Sequence, residues 1–265
     1  MLNLFKKRFF QKKKIKSKKN VEIQLKKLFL IKKTYKKYNI NLEKVIDNYH
    51  DPKFYRKILF SKHYWTLEED NKLKRILTGI KPHRNFRNNK QYAANIILNW
   101  LIEDLIYIIL KRKKVNVVRS GSDKERKLFI GKNVEAECDL KIIPRNKNNK
   151  NIFIEVIANY PTKSGFASFW EEKGFLDLKD KKFHKLLDHH IQGNLILILG
   201  MVVAKNQFFL MRVDNNLKIK NKSSEQNFGG KETVLIDFEE GKPLLKGLNT
   251  LSIRSFVKPI KKKKK

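Results

Sequence analysis

The sequence predicts an α/β fold, with a mixed central β-sheet flanked by helices and a basic, mainly helical segment in front of it. Three observations carry this expectation. The stretch "QYAANIILNWLIEDLIYIILKRKK" repeats apolar residues at helical spacing. After it come short, apolar, β-prone stretches separated by polar loops and one further helical pattern. The order helix, strand, strand, strand, helix, strand makes an α/β core with a mixed sheet. Finally, the first third of the chain is dense in lysine, with scattered Leu, Ile, Phe and Tyr.

The elements follow in order. "VEIQLKKLFLIKKTYKKY" places Ile23, Leu25, Leu28 and Leu30 among lysines. A basic helix docked on a core and facing phosphate has this pattern, and a solvated helix fits it equally. In "YWTLEEDNKLKRIL", Thr66 and Glu69 form a capping box that starts a helix. A polar, basic loop runs from Gly79 to Lys90. The long helix then carries Ala94, Ile97, Leu98, Leu101, Leu105, Ile108 and Ile109 on its apolar side. Its closing lysine run suits a helix C-terminus. "VNVVRSG" is a short strand closed by Ser120 and Gly121, and "VEAECDLKII" and "NIFIEVI" form a strand pair. The loop "ANYPTKSGF" leads to a helix near "GFLDLKDKKFHKLLDHH". "LILILGMVVA" and "QFFLMRV" are two more strands, and "TVLIDFEE" is a last strand-like piece. The expected organisation is a basic segment over residues 1–90, a core over 91–213, an extension over 214–257 and a lysine tail over 258–265.

Composition narrows the function. The chain has 265 residues, 41% of them hydrophobic, which suffices for a core. Lys+Arg 61 minus Asp+Glu 26 gives +35. Such an excess repels itself in a compact state, so a polyanionic partner is expected, nucleic acid first and an anionic membrane surface second. A lysine-favouring genome explains part of the lysine count but not the scarcity of acids. One cysteine, Cys138, excludes an intrachain disulfide and a cysteine zinc site, and fits a reducing, cytoplasmic setting. No apolar run approaches the ~20 residues of a membrane span, the longest being Leu195–Ala204. Residues 1–20 are basic and acid-free, which suits an arm on nucleic acid better than an Arg- and Ser-rich transit peptide.

Two acidic residues stand where apolar ones belong. Glu155 sits in the middle of "IFIEVI", and Asp139 lies 155 − 139 = 16 positions earlier on the neighbouring strand. That separation suits a hairpin that brings the carboxylates to one spot. Two carboxylates in a low-dielectric place repel unless one is protonated or a cation lies between them. Mg²⁺ takes oxygen ligands and often needs only one or two carboxylates plus a substrate phosphate.

These residues, in this order of elements, resemble the PD-(D/E)xK nuclease superfamily, typified by type II restriction endonucleases. The resemblance covers roughly residues 91–213 and implies a restriction-endonuclease-like core. Asp139 matches the central aspartate, Glu155 the acidic residue of the second half-motif, and Glu103 the first-helix glutamate. Cys138 stands where the family has a proline, and Ile157 where it has a lysine. The resemblance implies that Asp139, Glu155 and the backbone carbonyl of Val156 bind Mg²⁺, with Glu103 assisting through a water or a second metal. It also implies double-stranded DNA as substrate, a homodimer and a companion DNA methyltransferase. For the missing lysine, Lys141 shares the face of Asp139 and would lie opposite Glu155 if residue 139 pairs with 157. Lys163, Lys179 and Lys182 are the other candidates. His184 and Asp188, four apart on a helix, have metal-ligand spacing, although surface histidines are the commoner explanation. A noncatalytic nucleic-acid binder on a nuclease fold, and a junction-resolving or repair nuclease, are the alternative functions.

Overall fold

The computed structural model describes residues 22–61, 67–77, 89–121, 123–128, 137–144, 150–160, 175–222, 233–237 and 240–251. Two compact units emerge. One comprises Met1–Asp104 with Glu125–Val134, the other Leu105–Lys124 with Glu135–Lys265. The division falls inside the long helix rather than at residue 90, and residues 214–251 belong to the second unit instead of standing apart as an extension.

The first unit is helical. It holds α1 over residues 22–37, α2 (Leu42–Asp47), α3 (Pro52–Phe60), α4 (Leu67–Ile76) and the first part of α5 (Asn89–Arg112). Asn41 and Asp51 cap α2 and α3 by accepting from the N–H groups of Lys44 and Phe54. Proline at the first position of α3 suits a turn whose N–H has no helical partner. Thr66, the expected cap of α4, lies outside the described residues. Leu28, Ile31 and Tyr35 of α1 are buried with Ile58, Leu59 and Trp100.

Buried residues lie on every side of α5, from Ala93 through Trp100 and Ile102 to Leu110. Such a helix is a core element. By length and a mean hydropathy of 1.6 it could cross a membrane, contrary to the expectation that no segment approaches that limit. However, 72% of its apolar window is buried by the protein itself, as in the core helix of a globular chain. The two acids inside it are neutralised by Arg126. That guanidinium meets Glu103 Oε2 at 2.7 Å and Asp104 Oδ1 at 2.7 Å, and all three residues are buried. Burial opposes the charge on Arg126, but Glu103 and Asp104 outweigh it and raise its pKa.

The second unit carries a six-stranded mixed sheet in the order β1-β2-β3-β5-β6-β9. Its strands are β1 (Val117–Arg119), β2 (Leu140–Ile142), β3 (Ile152–Asn159), β5 (Leu195–Val202), β6 (Gln207–Val213) and β9 (Lys242–Pro243). β3 and β5 are parallel and every other neighbouring pair is antiparallel. β5 is buried along its whole length, as a continuous apolar run between two partners should be. Proline in β9 sits on an edge strand, where a missing N–H costs no ladder bond.

A three-stranded sheet, β4-β8-β7, joins Phe175–Lys179, Thr233–Asp237 and Ile219–Lys222. Here the sequence expectation needs correction. "FLDLK" is strand β4, and helix α6 starts only at Asp180 and ends at Ile191. Leu176 and Leu178 alternate onto one buried face against Val234 and Ile236, which a helix could not do at that spacing. The same core takes Phe183 and Leu186 of α6 and Ile196 and Ile198 of β5.

Candidate active site

The candidate site lies in the second unit, on the β2–β3 pair. The ladder sets Leu140 against Ile154 and Lys141 against Phe153. One step further, Asp139 comes level with Glu155. Phe153 and Ile157 pack on the core that contains Phe183 and Leu186 of α6. Alternation turns Glu155 toward the same side.

There it meets Lys182, from the first turn of α6. The Lys182 Nζ stands 2.8 Å from Glu155 Oε2 and donates to the carbonyl of Glu137 at 2.6 Å. Oε2 is buried, and the Lys182 ammonium is the group that meets it. Asp139 is positioned from the other strand, with its Oδ2 accepting the N–H of Val156 at 2.7 Å. Glu155 is 8% exposed. Burial first, and then the charge of Asp139, raise its pKa well above the carboxylate range, with Lys182 opposing. Burial disfavours the ammonium of Lys182, but Glu155 and Asp139 outweigh it and raise the pKa. Cys138 is buried, and burial followed by Glu155 pushes its thiol up, so it is no nucleophile.

Residues outside the expected set also shape this site. Asp123 adds to the repulsion at Glu155. Glu137 Oε2 accepts the N–H of Gly121 at 3.0 Å, tying the turn after β1 to the segment before β2. Gly121 has φ +86°, a conformation that glycine adopts without strain, and a Cβ there would stand 3.4 Å from Asp123 Oδ1. For Glu137 a signal existed, since it shares strand parity with Asp139. For Asp123 there was none beyond its place after a Ser-Gly turn.

The expected residues are placed as follows. Lys141 lies across from Phe153, not Glu155, and its Nζ sits 5.3 Å from the Phe153 ring centroid. The lysine at the carboxylates is Lys182. Val156 donates its N–H to Asp139, which leaves the expected role of its carbonyl, a different atom, untouched. Glu103 belongs to the first unit, where Arg126 engages it. Lys179 is the N-cap residue of α6, and Lys163 lies outside the described residues. His184 pairs with Asp180 at 3.2 Å rather than joining Asp188 in a metal site.

With both carboxylates ionised, the single ammonium would leave a net negative charge beside the buried Glu155. A buried carboxylate beside a second carboxylate, with a single ammonium beside them, suits a hard divalent cation. Among the described residues, no group of three or more His, Cys, Asp and Glu side chains could hold a metal. A cation here would therefore rely on Asp139 and Glu155 and complete its shell with backbone oxygen, water and substrate. Such a cation should raise the apparent Tm of the wild-type protein, because it binds only the folded state. In Glu155→Gln the rise should vanish, and an undiminished rise there would remove Glu155 from the cation site.

Fold and site thus define a mixed α/β protein with an acid pair and a lysine at one point of a strand pair. Compared with protein families and with curated proteins, the sequence matches none.

Proposed function

We propose that this chain is a Mg²⁺-dependent endonuclease that hydrolyses phosphodiester bonds of double-stranded DNA. On this reading it is a sequence-specific type II restriction enzyme of the PD-(D/E)xK kind. It works in the cytoplasm as a homodimer, which suits cutting at symmetric sites, beside a cognate methyltransferase. One observation carries the reading: Asp139, Glu155 and Lys182 converge although they come from the residue before β2, from β3 and from α6. The succession α5, β1, β2, β3, α6, β5, with β4 of the second sheet inserted before α6, is consistent with a restriction-endonuclease-like core. The charge of +35 suits the substrate.

Asp139 and Glu155 would hold Mg²⁺. The ion, when bound, supplies charge neutralisation at the phosphate and a lowered pKa for the attacking water. Lys182 fills the role left open by Ile157. Its ammonium, positioned by the Glu137 carbonyl, balances the negative charge that builds on phosphate oxygens as the water oxygen bonds to phosphorus and the ester P–O bond breaks. The water's proton is finally taken up by solvent or by the leaving oxygen.

Supercoiled plasmid incubated with Mg²⁺ tests the proposal. Discrete fragments support it. Gel retardation without cleavage would favour the noncatalytic binder, for which Ile157 is the specific observation. Cleavage confined to branched DNA would make it a junction resolvase. Within the nuclease reading, Lys182→Met should slow cleavage by ~100-fold or more, the scale of one charge-stabilising group, with affinity in Ca²⁺ little changed. Lys141→Met should cut at a near wild-type rate. The reverse pattern would return the role to Lys141.

A further inference from the structure

Helix α1 of the first unit has one face turned inward and one turned out. Leu28, Ile31, Thr34, Tyr35 and Tyr38 are buried, while Lys26, Phe29, Lys32, Lys33, Lys36 and Lys37 are exposed. Lysines here repeat at i,i+4 (Lys32–Lys36, Lys33–Lys37) and i,i+3 (Lys33–Lys36). Such like-charge spacings destabilise a helix. Nothing in the described structure relieves them. Glu22 pairs with Lys26, Glu43 and Asp47 both pair with Arg56, and Asp51 caps α3. The acids of this stretch are therefore engaged elsewhere. The ammonium of Lys32 lies 4.4 Å from the Phe60 ring centroid, which brings no negative charge.

Two further features accompany the lysines. Phe29 is 67% exposed, one turn from Lys26 and Lys33. At the other end of α1, a groove of about 390 Å³ is lined by Lys32, Lys36, Asn39 and Asn41 together with the apolar Ile40 and Leu42, and by Glu43, which Arg56 already holds. A row of ammonium groups with no acid paired to them among the described residues, a groove that two of them line and an exposed aromatic side chain form the combination that binds a nucleic-acid strand. Ammonium groups track the phosphates and the ring takes a base.

We infer that the outer face of α1 is a binding surface for an unpaired nucleic-acid strand. Lys32, Lys33, Lys36 and Lys37 contact the backbone, and Phe29 stacks on a base. The preference for an unpaired strand follows from Phe29, because bases within a duplex have no open face to offer. An anionic membrane fits less well. The apolar side of α1 is already buried in its own unit, so only one phenyl ring would be left to enter lipid. This surface belongs to the first unit and does not depend on the Asp139–Glu155 reading.

Fluorescence anisotropy of the full-length chain with a labelled single strand tests this, in EDTA so that binding is read without cleavage. Replacing Lys32, Lys33, Lys36 and Lys37 by glutamine should make the slope of log K against log salt shallower by about three, as four lost contacts to a single strand require. Phe29→Ala should weaken single-strand binding roughly tenfold, Phe29→Trp should restore it, and duplex binding should be unchanged. These side chains are exposed, so neither variant should melt below the wild type, and the glutamine variant should melt slightly higher as the like-charge repulsion is removed. Wild-type affinity and salt slope in both the glutamine and alanine variants would overturn the inference. So would a Phe29→Ala effect seen on phosphatidylserine vesicles but not on the single strand.

Discussion

Asp139→Ala and Glu155→Ala should each abolish plasmid cleavage, with a loss of at least ~10³-fold, because each removes one of the two charged groups that would hold the cation and stabilise the developing charge. DNA affinity in Ca²⁺ should stay close to wild type. The two losses should not add. Asp139 and Glu155 share one site, and removing either already destroys it. Asp139→Asn and Glu155→Gln sharpen the test, since they keep the shape. Asparagine retains an oxygen for the Val156 N–H that Oδ2 accepts now. Glutamine at 155 removes the buried carboxylate that burial and Asp139 drive toward protonation, so the fold should gain stability in the absence of a cation as activity disappears. A variant at either position that cuts at near the wild-type rate would refute the assignment.

The second large effect concerns stability. Arg126→Met should destabilise the protein by ~3–5 kcal/mol, the usual cost of removing one partner from a buried ion group. Glu103 and Asp104 would be left as buried carboxylates with no guanidinium between them. Arg126 also holds φ at +52°, a conformation that non-glycine residues seldom adopt, which only a strong local tether keeps populated. It lies against Trp100, with Cζ 5.8 Å from the ring centroid. Trp100 in turn packs edge-on to Tyr49 at 6.0 Å. Replacing all three ionic residues together by apolar ones of similar volume should recover most of the loss, because no charge is then stranded. Thermal melting of the single and triple variants decides this. A triple variant as unstable as Arg126→Met would mean that packing around Trp100, and not charge, holds the loop. Glu103→Gln bears on function as well. If Glu103 serves the first unit's stability alone, cleavage per folded molecule should be unchanged.

The sequence by itself determined the elements whose burial pattern is local. The apolar periodicity around α5, the unbroken run of β5 and the alternation of β6 are each written in one run of consecutive residues, and each forms where expected. It also singled out Asp139 and Glu155, because a carboxylate in an apolar strand is anomalous whatever the fold. Strand β4 was not legible. Its five residues precede a helix of matching composition, and only the distant β8 makes Leu176 and Leu178 a strand face. Register was likewise a tertiary decision. Two residues of slip separate Lys141 facing Phe153 from Lys141 facing Glu155, and both pairings keep the same side chains on the same face. Nor does sequence distance reveal that Lys182, 182 − 155 = 27 positions past Glu155, returns to it across the sheet. Packing Phe183 and Leu186 against β5 fixes the rotation of α6, and that rotation turns Lys182 onto the carboxylate. The partner of Glu103 and Asp104 was hidden for the same reason. Arg126 stands in a polar loop, and only the folded first unit closes it over α5. A local pattern specifies which residues are buried. Which charges meet depends on how separate elements rotate and slide as their apolar faces pack, and that is set by the whole core.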